Sequence, residues 1–224
     1  MNYLEICKRV RQEAGIAGTG PSAVTNQTGE YRRVVDWVAS AWEDLQNKRT
    51  DWLWMNGTFS FVTIADQDTY TAAEAGIVER FKKWDRDNLR IYTTATGVAD
   101  ESRLIYQVWE IWRHPFRTGV QTAGRPVMAT TMPNGSLGVG YKPTAGFTIS
   151  GDYHKSAQVL AADADTPEVS SEYHMAIVYR ALMMYARYMA ASEVYDDAQT
   201  NYNRIVRQLV ANQTPEMQLA RPLA

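Results

Sequence analysis

The sequence predicts an α+β protein in which N- and C-terminal helices form one antiparallel bundle and an antiparallel β-rich domain is inserted between them. Two observations lead to this fold class. Apolar residues recur at three- and four-residue intervals near both ends of the chain, which is typical of amphipathic helices. In the middle of the chain they occur in short, partly alternating runs bounded by turn residues, which is typical of strands. Because neither pair of helices can bury its apolar stripe alone, we expect the two pairs to pack together.

Two helices are predicted in the N-terminal region. The first is short, and the loop at 15–29 that follows it is rich in Gly, Pro, Ser and Asn, which predicts a flexible link. The second helix is longer, with Thr28 as a candidate N-cap, and is expected to end at about Arg49. The apolar face of the first helix consists of Leu4, Cys7 and Val10, and that of the second of Tyr31, Val34, Val35, Val38, Trp42 and Leu45.

The middle of the chain reads as a series of short strands. Candidate strands lie near 58–64, 78–84, 89–93, 126–130, 136–141 and 147–154. The stretch 104–116 fits either a short helix or a strand, and we favour the helix. Since parallel strands would need long crossover connections, we expect an antiparallel sheet or a small sandwich. The glycines of the segment at 136–143 indicate close backbone packing within a strand.

The C-terminal region returns to helical spacing. Ser170 and Ser171 are candidate caps for a helix with a wide apolar stripe, and Ser192 is a candidate cap for a last helix that ends at about Asn212. Pro215 then marks the start of a tail. The expected domains are a helical bundle domain at 1–53 and 168–213, a β-rich domain at 54–167, and a C-terminal tail at 214–224.

Composition excludes several classes of protein. The chain has 224 residues with a net charge of -2, so it lacks the excess of Lys and Arg that proteins gripping DNA need. The composition is still compatible with a protein past which DNA slides without being bound. The single cysteine, Cys7, excludes an internal disulfide and a cysteine-based metal cluster, and we expect it to be a small buried residue. No apolar block is long enough for a membrane span or a signal peptide, so we expect neither.

The sequence shows no catalytic, cofactor-binding or metal-binding motif, and we expect a protein that is not an enzyme. Its three histidines have no metal-binding spacing, and no phosphate-binding or nucleophile motif occurs. Asp163 and Asp165 superficially resemble a calcium loop but lack the glycine and glutamate that such a loop needs. Asp66 and Asp68 are expected to be turn residues.

Seven tryptophans allow two interpretations. In the structural one, the large rings fill the junction between the bundle and the sheet. In the functional one, exposed rings form an aromatic interface or a sugar-binding surface. The second interpretation is the basis of an alternative function, a carbohydrate-binding or surface-recognition module.

The C-terminal half carries a diffuse pattern of residues. Its elements are Gly124 and Pro126 at a strand start, Tyr141 and Pro143 at a strand end, Tyr153 before a loop, Asp165 to Pro167, and Tyr173 with His174 near a helix start. With this pattern the chain resembles the phage head-to-tail adaptor (connector) proteins of the tail tubular protein A-like family. The N-terminal helix and the segment at 59–72 also fit, although Tyr70 is followed by TAAEAG, where such proteins usually have a Leu-Pro pair.

This resemblance implies a structural virion protein at the head-tail junction, made in the host cytoplasm. It implies a ring of twelve copies that binds the portal protein and extends the DNA conduit to a tail or nozzle protein. Genome DNA would pass through without specific binding. A chain that is monomeric in dilute solution would still assemble on a preformed portal ring, because the ring holds neighbours at high effective concentration.

Two groups of residues are candidates for this role. In the tail, Met217, Leu219, Arg221 and Pro222 form an apolar-basic segment that we expect to dock on the portal. On the polar face of the last helix, Glu193, Asp196 and Asp197 are expected to line the conduit. The loop at 15–29 and the tail are expected to become ordered on binding.

Overall fold

The computed structural model describes residues 1–144 and 146–214 and shows an α+β fold. Within these residues the five α-helices are α1 (Tyr3–Glu13), α2 (Gly29–Asn47), α3 (Trp109–Arg117), α4 (His174–Met189) and α5 (Ser192–Gln213). The strands are β1 (Asn56–Val62), β2 (Thr69–Tyr70), β3 (Phe81–Trp84), β4 (Arg90–Thr93), β5 (Ser102–Arg103), β6 (Ile105–Tyr106), β7 (Ala123–Gly124), β8 (Met128–Thr131), β9 (Leu137–Gly140), β10 (Lys142–Pro143) and β11 (Phe147–Lys155). Contacts divide the described residues into a helical unit, 1–54 and 157–214, and a β-rich unit, Met55–Ser156.

In the helical unit, α4 contacts α1, α2 and α5. The pairing of α2 with α4 is antiparallel, since Trp37 contacts Tyr185 while Asp44 contacts Arg180. The apolar stripes of the helices face this core, which explains why α4 has the widest one: it is covered on three sides. Cys7 is fully buried in this core, as predicted, and burial raises the pKa of its thiol to about 12.

The helix caps differ from the predicted ones. Thr28 is the N-cap of α2 by position, but its side chain makes no capping hydrogen bond. Ser192 is the first residue of α5 and Ala191 is the cap, so that prediction is wrong by one position. Ser170 and Ser171 border a single 3-10 turn, and α4 begins after Tyr173. The clearest cap is that of α1, where the side chains and backbone of Asn2 and Glu5 form a reciprocal capping box.

The loop at 15–29 is held against the helical unit, contrary to the prediction of a flexible link. Two apolar residues of this loop, Ile16 and Val24, are buried. The backbone N–H of Val24 donates to Oδ1 of Asp163 at 2.6 Å, and the Tyr31 hydroxyl donates to the carbonyl of Ala17 at 3.0 Å. These contacts satisfy backbone groups that composition alone assigns to solvent.

The β-rich unit is built around β11. This strand pairs with β1 along one edge and with β4 and β3 along the other, all antiparallel, and β5 extends the sheet from β4. A second sheet has the order β2-β9-β8-β6, and β7 pairs with β10. The pairs β6–β8 and β7–β10 are parallel, which the sequence did not predict. The crossover from β6 to β8 contains α3, the connection that a parallel pair requires.

Two glycines of β9 allow close packing on the strand, by Met132 at Gly138 and by α3 at Gly140, as the sequence indicated. A Cβ atom on Gly138 would lie 2.8 Å from Met132 Cε, and one on Gly140 would lie 2.7 Å from the Phe116 ring. Trp112 and Phe116, one helical turn apart on α3, are buried here. The helix therefore packs directly on the backbone of the strand.

Candidate docking surfaces of the helical unit

The three acidic residues predicted to line a conduit lie together on the polar face of α5. Glu193, Asp196 and Asp197 are all exposed, and within residues 1–144 and 146–214 they form no ion pair. A helix turns about 100° per residue, so their side chains span about 100° of arc. The opposite face of α5 is buried through residues such as Tyr202 and Leu209. The structure thus brings the three carboxylates together on one surface.

The same face changes sign along the helix. Arg204 and Arg207 are exposed farther along α5 and likewise form no ion pair in the described part of the chain. Carboxylates near the N-terminus and guanidinium groups towards the C-terminus complement the helix dipole. Sequence reasoning missed the two arginines. Their helical spacing from Asp197 and from each other places them on the same face as the acids.

An open apolar cavity of about 350 Å³ lies at the turn between α4 and α5. Its lining includes Ala186, Ala190 and Tyr195, with Arg187 and Asp196 also present. Ala190 has a left-handed backbone (φ 53°), and this conformation reverses the chain between the two helices. The Arg187 guanidinium lies 5.3 Å from the Tyr195 ring centroid and donates to its hydroxyl at 3.2 Å. The cavity has a size and polarity suited to an apolar side chain of a partner.

An aromatic and cationic patch is exposed on α2 and α4. Tyr188 is 55% exposed and Met189 51%. The Arg33 guanidinium lies 4.4 Å from the Tyr188 ring centroid and donates a hydrogen bond to its hydroxyl, while the Trp37 ring lies 5.8 Å from Tyr188. Tyr, Trp, Met and Arg are the residue types enriched in protein interfaces. The helical unit therefore presents surfaces suited to holding other proteins.

Comparison with known families decides what kind of protein carries these surfaces. A model of the SU10 adaptor protein family matches residues 1–223. The chain belongs to the SU10 adaptor protein family. It is a structural adaptor of a bacteriophage, and this membership implies interaction with portal and tail proteins within the virion. A search of curated proteins finds no match.

Met217, Leu219, Arg221 and Pro222, the residues predicted to dock on the portal, lie outside the described residues. The acids of α5, by contrast, lie within the described residues and are exposed.

The acidic loop of the adaptor has a structural role. The Asp165 carboxylate accepts the backbone N–H groups of Ala161 and Ala162 at 2.7 and 2.8 Å, which lowers its pKa. Asp163 holds Val24, as described above. Among the described residues, no group of three or more His, Cys, Asp or Glu side chains is placed to hold a metal ion. The sequence reading of this segment as a loop leading into a helix agrees with this geometry.

The tryptophans of the adaptor are covered by protein. Trp42, Trp52, Trp84 and Trp112 are buried, and the other three are half-buried. In the helical unit, the Trp52 and Trp54 rings stack at 4.8 Å, and Trp52 Nε1 donates to backbone carbonyls of α2. Since none of the seven is fully exposed, the observation required for a sugar-binding surface is missing. No described helix is long and apolar enough to cross a bilayer.

Proposed function

We propose that this adaptor works as a ring of twelve copies that docks on the portal and extends the DNA conduit towards a tail or nozzle protein. The observation that supports the proposal is the family match over residues 1–223. The resemblance to tail tubular protein A-like adaptors refines it to a ring at the head-tail junction. A ring needs a heterologous interface, in which one face of a subunit meets a different face of its neighbour. In this role the protein holds other subunits and catalyses no reaction.

We further propose how the two units divide the work. The helices of the helical unit act as one antiparallel bundle that faces the portal, and the β-rich unit is an insertion that faces tail components. The exposed patch around Tyr188 and the cavity at the α4–α5 turn support the first assignment, because both offer anchor points for a partner. The tail, through Met217 and Leu219 with Arg221 and Pro222, adds contacts with the portal.

The acids of α5 suit a conduit wall. Carboxylates at Glu193, Asp196 and Asp197 repel DNA phosphates, so DNA passes without adhering. Replacing all three by the corresponding amides should leave ring formation intact and slow DNA release. The readout is the rate of DNA ejection from particles assembled with each variant. Unchanged ejection, or loss of ring formation, would remove these residues from the conduit.

The direct test mixes the purified chain with portal rings and images the product by electron microscopy. Rings of adaptor below the portal are expected, and free monomers beside bare portals would refute the proposal. A second sample lacks residues 214–224. Weaker binding of this sample to the portal is expected, and undiminished binding would remove the tail from the docking surface.

A further inference from the structure

A pocket lined by hydrogen-bond donors lies among α2, α4 and α5 of the helical unit. Its cavity of about 390 Å³ is lined by Asp44, Asn47, Lys48, Arg180 and Tyr202. The end of α2 supplies the first three, and α4 and α5, which are far from α2 in sequence, supply the other two. None of them has a role in the proposed function so far.

Tyr202 is the feature that points to a ligand. Its side chain is only 7% exposed, and its hydroxyl has no hydrogen-bond partner among residues 1–144 and 146–214. The hydroxyl itself is accessible from the cavity, and because it bonds no protein group it is available to donate to a group bound there. Because the residue lines the cavity, a group bound there would satisfy the hydroxyl.

Two cations line the cavity together with Tyr202. The Lys48 Nζ atom lies 4.8 Å from the centroid of the Tyr202 ring and forms no ion pair in the described part of the chain. Burial and the nearby Arg180 lower the pKa of Lys48. Arg180 directs Nε and Nη2 at Asp44 Oδ2, at 3.0 and 2.7 Å, so one of its three nitrogens is not used by that pair. Two cations against one carboxylate leave a single net positive charge in the pocket.

We propose that this pocket binds one carboxylate, the side chain of an Asp or Glu residue of the portal protein. A carboxylate matches the single net charge and accepts charge-assisted hydrogen bonds from an ammonium and a hydroxyl together. A DNA phosphate fits less well, because Asp44 already occupies the fork of Arg180. The described part of the helical unit also carries 11 Lys and Arg residues against 14 Asp and Glu, which disfavours nucleic acid.

The choice of the portal rests on the proposed function. That function places the helical unit against the portal and the exposed acids of α5 in the conduit, so the carboxylate does not come from α5 of a neighbouring copy. The pocket itself is a property of the single chain and is testable without a ring.

Substitution at the pocket tests its contribution to docking. Lys48→Met keeps the aliphatic stem and removes the charge, and Tyr202→Phe removes only the hydroxyl. We expect portal affinity to fall by about tenfold for Lys48→Met and by a few-fold for Tyr202→Phe. Lys8→Met, at an exposed lysine of α1, is the matched control and should bind like the original chain. Equal affinity of all four proteins would overturn the proposal, and circular dichroism verifies that each is folded.

Zero-length cross-linking with a carbodiimide then identifies the partner. In adaptor–portal complexes, a Lys48 peptide joined to an acidic portal peptide is expected. A Lys48 peptide joined to another adaptor copy would overturn the assignment to the portal. Rings that form without any Lys48 cross-link would overturn the pocket's role while leaving the proposed function standing. Failure to form rings would refute the proposed function and the portal assignment together.

Acetate probes the carboxylate site on the free chain. Amide NMR signals of Lys48, Arg180 and Tyr202 should shift with acetate at constant ionic strength, more than with chloride. The shifts should be smaller in the Tyr202→Phe protein. Equal responses to acetate and chloride would show that the pocket does not select carboxylates.

Discussion

Gln46 offers the sharpest test of how the helical unit is held together. This α2 residue is 1% exposed. Its side-chain Nε2 donates to the carbonyl of Gln158 at 3.0 Å, and its Oε1 accepts the backbone N–H of Gln158 at 2.6 Å. The amide thus pairs with both backbone groups of one residue in the segment that leads to α4. Gln46→Leu removes both bonds, together with a longer one from Nε2 to the carbonyl of Trp42 at 3.3 Å, while preserving most of the volume.

The magnitude follows from these two bonds. A net hydrogen bond contributes about 0.5–1.5 kcal/mol, and a buried group left without its partner costs about 1–3 kcal/mol. Gln158 is half-buried, so water reaches its freed groups in part. We therefore expect the free energy of unfolding of the helical unit to fall by about 2–4 kcal/mol. Urea denaturation followed by far-UV circular dichroism measures it, with an unchanged dependence on urea concentration.

A matched pair of variants makes this test stricter. Gln208→Leu changes an exposed residue of α5 and should alter stability by less than about 0.5 kcal/mol. Gln46→Glu keeps the acceptor and loses the donor, so at neutral pH a buried carboxylate faces the carbonyl of Gln158. It should recover stability as the pH falls and the carboxyl becomes protonated. If Gln46→Leu is as stable as the original chain, the two bonds do not hold this segment.

Three further predictions concern single side chains. Gly140→Ala places a methyl group 2.7 Å from the Phe116 ring, so a loss of about 1–3 kcal/mol by thermal denaturation is expected; a second change, Phe116→Leu, should reduce the loss, and additive effects would contradict the clash. Burial lowers the pKa of His174 below its ordinary 6.5, so the stability it provides is present above 6.5 and is lost as the pH falls through its pKa in the folded state; His174→Gln should flatten this dependence of unfolding temperature on pH, and an unchanged slope would assign it to other groups. Hydrogen bonds from Arg125 and Thr93 lower the pKa of Asp100 to about 2, so Arg125→Lys should raise it towards its ordinary value in a carboxyl NMR titration, and an unmoved pKa would show that the guanidinium fork is not the cause.

Long periodic segments were predictable from the sequence. The second helix was expected to end at about Arg49 and ends at Asn47, and the last was expected to end at about Asn212 and ends at Gln213. Each has at least three buried turns on one face, so the spacing is repeated often enough to be unambiguous. All six candidate strands also contain or overlap observed strands.

Short elements were not predictable, because tertiary contacts create them. β6 has two residues, Ile105 and Tyr106, and exists only through its pairing with β8. The ambiguity at 104–116 was real: the segment contains a strand and then a helix, α3. Neither the helical nor the strand pattern of this segment shows that Trp112 packs against the glycine-containing strand β9. The periodicity of a short segment carries no information about a pairing or packing partner that is distant in sequence.

The candidate surfaces divide in the same way. The acids of α5 are close in sequence, so helical spacing alone places them on one face. The pocket around Tyr202 brings together α2, α4 and α5, and no spacing rule links Lys48 with Arg180. Its signal is a cavity that brings two cations and a tyrosine hydroxyl together, and this arrangement exists only in the folded chain.

The ion pairs distinguish surfaces whose charges are paired within the monomer from surfaces whose charges are available to partners. In the helical unit, Arg9 pairs with Glu13 on α1, and Arg180 pairs with Asp44 between α4 and α2. By contrast, Lys48 and the charged face of α5 are unpaired within the described residues. Exposed pairs contribute only about 0–1 kcal/mol, so unpaired surface charges contribute still less to folding. Changing them should leave the monomer intact, and a defect in portal binding or DNA release would then report on assembly and not on unfolding.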